Sequence, residues 1–135
     1  MKSLLIVTAK AAIVAACLLP AVSGAQEVCD TLAGAKIIAQ NEESTYLGTV
    51  SSSSDRDSIF NEYGTYGNDY SSESFWNRYS KFGSEYNRNS PFNKYSSSPP
   101  MLIRGRDVIG YLSENKSNSP SISPARLKTL CKDAY

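Results

Sequence analysis

Three copies of one short motif occupy the middle of the chain: Ser58-Ile59-Phe60-Asn61-Glu62-Tyr63, Ser74-Phe75-Trp76-Asn77-Arg78-Tyr79 and Ser90-Pro91-Phe92-Asn93-Lys94-Tyr95, each 16 residues after the last. The unit runs on through Tyr66-Gly67 to Tyr70 in the first copy and Phe82-Gly83 to Tyr86 in the second; the third breaks off at Ser96-Ser97-Ser98-Pro99-Pro100. A fixed period without insertion is the signature of a repeated structural unit. Between Ser51 and Pro100 the only large aliphatic residue is Ile59, so the aromatic rings are almost the only apolar surface there to bury. Fifty residues without a core would stay disordered. The strict spacing predicts order instead, with the rings supplying a small core of their own.

Residue types suggest the local geometry. The serine that opens each unit can cap a short helical turn by accepting an orphan amide hydrogen bond. The asparagine three residues on tolerates a left-handed conformation that would end the turn. Gly67 and Gly83 then permit the next reversal. The expectation over 58–98 is an irregular aromatic excursion of short turns and extended pieces.

On either side of the excursion the chain is aliphatic. Residues 36–50 and 101–113 each read as two short strands around a polar or glycine-containing turn, the pattern of a β-hairpin. Their second strands resemble each other: Leu47-Gly48-Thr49-Val50-Ser51 lines up with Ile109-Gly110-Tyr111-Leu112-Ser113. Two related hairpins can pair into one small antiparallel sheet. Beyond a polar connection, Ser123-Pro124 offers an N-cap followed by proline at the first helical position. Leu127, Leu130 and Cys131 then share one helical face, which predicts a short C-terminal helix over 124–133. The fold class expected is α+β, rich in β-structure.

The first 25 residues read differently. A basic start, a long apolar run and Ser23-Gly24-Ala25 form the pattern of a bacterial secretory signal peptide cut after Ala25, leaving 26–135 as a single domain. An alternative is that Val14-Ala15-Ala16-Cys17 marks a lipoprotein, anchored through Cys17. A mass measurement separates the two. The expected location is the periplasm or the medium. Cleavage leaves two cysteines, Cys29 and Cys131, which in an oxidising compartment form one disulfide.

Composition removes whole classes of chemistry. The chain has no histidine, and with its two mature cysteines paired it lacks His-based acid–base catalysis, Cys/His or Ser/His nucleophiles and nearly every kind of zinc site. It carries no glycine-rich phosphate loop. Its formal charge of +1 becomes −1 once Lys2 and Lys10 leave with the leader, and no basic cluster marks it for nucleic acid. Neither a metal nor a cofactor is expected; Asp55-Arg56-Asp57 lacks the remaining features of an EF-hand. Asn115-Lys116-Ser117 is formally a glycosylation sequon. The aromatics remain as candidates. Phe60, Trp76 and Phe92 form one equivalent set and Tyr63, Tyr79 and Tyr95 another. Such rings can stack on sugars or other flat groups, or pack as core. The reading is a non-catalytic exported binding or structural module, its partner a cell-wall glycan or an envelope protein. The alternative is an envelope hydrolase working through carboxylates alone, with Glu62, Asp69, Glu73 and Glu85 as candidates.

The run DSIFNEYGTYGNDYSSESFWNRYSKFGSEY, framed by YLGTVSS and VIGYLSEN, resembles a module of exported bacterial proteins whose usual form reads YLGKLSSN…DSIxNxYGxYGSxYSxxSIxNPYGxYGSxYS. The likeness extends over roughly Ile37 to Asn115. Ser80, Phe82 and Arg78 depart from that form. The resemblance implies a small secreted module, alone or joined to other domains, and brings no catalytic residue with it.

Overall fold

The structure is a computed structural model that describes residues 24–135. Of the expected leader only Gly24 and Ala25 fall within it; the rest, and Cys17 with it, lie outside the described residues. The elements in chain order are helix α1 (Gly24–Leu32), strands β1 (Lys36–Ile38), β2 (Tyr46–Thr49), β3 (Met101–Arg104), β4 (Asp107–Leu112) and β5 (Ser121–Ile122), and helix α2 (Pro124–Cys131).

Both hairpins form. Antiparallel β1 and β2 pair Lys36 with Thr49, and β3 and β4 pair Arg104 with Asp107 around a two-residue turn. Gly105 in that turn has a φ of +65°, the left-handed region that glycine enters without a Cβ clash. The hairpins join through their first strands, with Ile37 opposite Leu102, so the sheet order is β2-β1-β3-β4-β5. The sheet is mixed, not wholly antiparallel. Ser121 and Ile122, inside what reads as a polar connection, add a short parallel strand beside Tyr111 and Leu112.

The C-terminal helix begins as its sequence predicts. Ser123 is extended, its side chain accepts from the Arg126 amide at 3.2 Å, and Pro124 takes the first turn. It is shorter than expected, ending at Cys131. Leu127 and Cys131 are buried, with Leu130 packed beside them. The N-terminal segment from Gly24 to Leu32 is also helical, an element the sequence reading did not assign. It buries Cys29 and Leu32. Cys29 and Cys131 are bonded, joining α1 to α2 across 102 residues of chain. One core unites these parts. Leu32, Ala35, Ile37, Leu47, Val50, Leu102, Leu112 and Leu127 meet Ile59, Phe60, Phe75, Phe82 and Phe92 from the repeat zone. No helix among the described residues is long and apolar enough to cross a membrane.

Candidate functional site

The repeat zone is a continuous run of tight turns. Backbone amides of Asn61, Gly64, Asn68, Ser71 and Ser74 bond in succession to the carbonyls of Ser58, Asn61, Gly64, Asn68 and Ser71. The next period repeats the beat through Asn77, Ser80, Ser84, Asn87 and Ser90. Each period is thus five turns, spanning three, three, four, three and three residues. No helix forms, so the opening serine caps a turn and not a helix.

The polar side chains of the repeat build this path. The Ser58, Ser74 and Ser90 hydroxyls accept from the amides of Phe60, Trp76 and Phe92. Those of Ser74 and Ser90 also donate to the carbonyls of Tyr66 and Phe82, eight residues back. Asn61, Asn77 and Asn93 accept from the amides of Tyr63, Tyr79 and Tyr95 and donate six residues back, to Asp55, Ser71 and Asn87. Their backbones are not left-handed; among non-glycine residues described, only Ser44 has a positive φ. The asparagines act as clamps between successive coils, not as turn terminators. Gly67 and Gly83 likewise serve close approach, not a left-handed reversal. A Cβ at either would overlap the carbonyl group of Asn61 or Asn77 from the coil beneath.

A buried polar side chain needs its partners, and among the described residues no buried side-chain nitrogen or oxygen lacks one. Ser58, Ser74 and Ser90 are fully buried on these terms. The coil therefore combines a hydroxyl-and-amide skeleton with an aromatic filling.

The two equivalent sets of rings part company on this skeleton. Phe60 and Phe92 are buried, and Trp76 is half-buried against the same core. The Trp76 indole N–H donates to the Ile59 carbonyl at 2.7 Å and its ring lies 4.6 Å from that of Phe75. Cations cover the remaining faces: the Lys128 ammonium stands 4.6 Å over Trp76, and the Arg78 guanidinium 4.3 Å over Phe92. Trp76 and Phe92, with these two cations, line a groove of about 700 Å³ between α2 and the coils. Phe60 and Phe92 thus pack into the core, while Trp76 divides its ring between the core and the groove.

Tyr63, Tyr79 and Tyr95 point outward, at 95%, 100% and 91% exposure. Tyr70 and Tyr86, which the set of candidates omitted, join them at 92% and 87%. The five recur at alternating steps of seven and nine residues. Because side-chain bonds tie each turn to chain six to eight residues earlier, these steps put one tyrosine on each successive coil. Every one of the five has its backbone amide fixed by the side chain two residues before it.

The row has a polar setting. A charged residue precedes each ring: Glu62, Asp69, Arg78, Glu85 and Lys94. Arg78 and Glu85 approach to 3.7 Å. Tyr63 and Tyr70 flank a groove of about 350 Å³ that also presents Glu62, Asn68, Asp69 and Lys128. Tyr86 and Tyr95 flank one of about 430 Å³ with Glu85, Phe92, Asn93 and Lys94. Glu62, Asp69, Glu73 and Glu85, the carboxylates of the hydrolase alternative, are all exposed on the coils.

Three other tyrosines are drawn into the packing. Burial, with a hydrogen bond from the hydroxyl to Asp57 adding to it, pushes Tyr46 up to about 12. Burial raises Tyr66, helped by the charges of Glu73 and Asp57. It also raises Tyr135, whose hydroxyl donates to the Cys29 carbonyl at 2.6 Å. The sequon is also built into the packing, since the Asn115 amide donates to the Ser96 carbonyl at 2.8 Å. Set beside known proteins, the chain matches no family model, no curated protein and no solved structure.

Proposed function

We propose that this is a non-catalytic bacterial binding module, exported to the periplasm or beyond, whose outer tyrosine row engages a component of the cell envelope. The observation that carries the reading is the row itself: five phenol rings at 87–100% exposure, one per coil. Isolated exposed rings are ordinary, but a ranked array on a rigid support is the arrangement expected of a contact surface. The disulfide supports an oxidising compartment. Purified protein is tested against a washed envelope fraction beside the triple variant Tyr63→Ser, Tyr79→Ser, Tyr95→Ser. Retention of the parent protein and loss of the variant is the expected result. Equal recovery of both, or of neither, overturns the reading.

A further inference from the structure

We propose that the tyrosine row is the binding face for a linear, uncharged polysaccharide, laid along the coils so that successive sugars meet successive rings. This rests on the reading of the row as a contact surface and names the ligand's chemistry.

The surroundings of the rings select against a protein partner. A protein interface is centred on a contiguous apolar patch from which charges are depleted. Here the residue before every ring is charged, and Ile59, the single large aliphatic residue between Ser51 and Pro100, is buried. The phenols thus stand among carboxylates, amides and cations, with the edge of one further ring, Phe92, between Tyr86 and Tyr95. That combination suits a sugar, which offers an apolar face of C–H groups to a ring and a rim of hydroxyls to polar neighbours. Both grooves have this build, with a ring on either side and acid, amide and ammonium between. One groove spans a seven-residue step and the other a nine-residue step, so both kinds of interval along the row are concave.

Charge narrows the class. The five flanking residues are three acids and two bases in mixed order, Glu62, Asp69, Arg78, Glu85 and Lys94. Such a face draws neither a polyanion nor a polycation over distance. The hydroxyls themselves are free: among the described residues none of the five is bonded within the chain, whereas those of Tyr46 and Tyr135 are.

Periodicity and magnitude together argue for a polymer. A single ring contact is worth far less than the freedom lost on association, so one ring cannot hold one sugar. Several rings on a fixed backbone can hold a chain, because each contact after the first is intramolecular. The side-chain oxygens of Asn61, Asn68, Asn77, Ser84 and Asn93 accept from the backbone amides of the five tyrosines and fix the backbone beneath every ring before the ligand arrives.

Calorimetric titration with β-1,4-linked di- and hexasaccharides of glucose, mannose and N-acetylglucosamine tests the proposal. At least one hexasaccharide is expected to bind ten-fold or more tightly than its disaccharide, and Tyr79→Ala to weaken it ten-fold or more. Tyr79 is fully exposed, so the variant keeps its fold, checked by an unchanged thermal midpoint. Absence of binding by all three hexasaccharides, no gain with length, or indifference to Tyr79→Ala overturns it. Envelope retention that depends on the tyrosines but is undiminished by excess hexasaccharide also overturns it, while the broader reading of the row as a contact surface then stands.

Discussion

Replacing Asn77 and Tyr79 separately tests the division between skeleton and display. Asn77 is partly buried and makes two bonds: Oδ1 accepts from the Tyr79 amide at 3.0 Å, and Nδ2 donates to the Ser71 carbonyl at 3.1 Å. Asn77→Ala removes both. At about 1 kcal/mol for each net hydrogen bond, the expected loss is about 2 kcal/mol. For a small domain that lowers the thermal midpoint by roughly 8–16 °C. Asn77→Asp keeps the acceptor for the Tyr79 amide but turns a carboxylate toward the Ser71 carbonyl. It should cost at least as much at neutral pH. Part of that loss should return as the solution is acidified and the introduced carboxyl gains a proton to donate. Tyr79→Ala removes a larger side chain, but one with no buried surface, and should stay within about 0.5 kcal/mol of the parent. Urea unfolding followed by the fluorescence of Trp76 reads all three. A neutral Asn77→Ala, or a Tyr79→Ala as costly as it, would refute the assignment of asparagine to structure and tyrosine to surface.

Two further outcomes follow from the same coordinates. Reducing the Cys29–Cys131 bridge frees a loop of 102 residues and should lower stability by about 4–5 kcal/mol by loop-closure entropy; an unchanged urea midpoint in dithiothreitol would contradict this. Tyr46 titrates near 12 when folded against about 10 when unfolded, so its contribution is complete below pH 10 and is lost as pH rises from 10 through 12. Tyr46→Phe should flatten that alkaline decline, measured as the urea midpoint between pH 9 and 12.

Much of the frame was legible because its signals are local. Ser123-Pro124 starts α2, Gly105 turns the second hairpin, and aliphatic runs mark the first four strands. β5 was not, since Ser121 and Ile122 are strand only by pairing with β4. α1 escaped because Gly24 and Ala25, where the helix begins, read as the end of a leader, which left too short a stretch before the first hairpin to show a helical period. Within the repeat, period and order were visible but direction was not. Phe60 and Tyr63 sit one turn apart on a path of unequal steps, which has neither the period of a helix nor that of a strand. Only the bonds made six and eight residues back decide that the first ring faces the core and the second faces water. The same bonds explain why Asn61, Asn77 and Asn93, expected to end turns, instead tie them together.

The turn run also settles how β1 finds β3. Ile38 pairs with Met101 although all three repeats lie between them. A flexible loop of that length would meet its ends only occasionally, at an entropic cost that grows with its length. Here the intervening chain is anchored to β2 where Ile59 bonds back to Thr49, and to the far hairpin where Glu114 bonds to Pro91. Its backbone turns close over three or four residues, and side-chain bonds tie each coil to chain six to seventeen residues earlier, so the span between those anchors is set by ordered structure and not by chain statistics. The excursion therefore brings β1 and β3 together as an ordered spacer would, and the ladder between them then sets their separation.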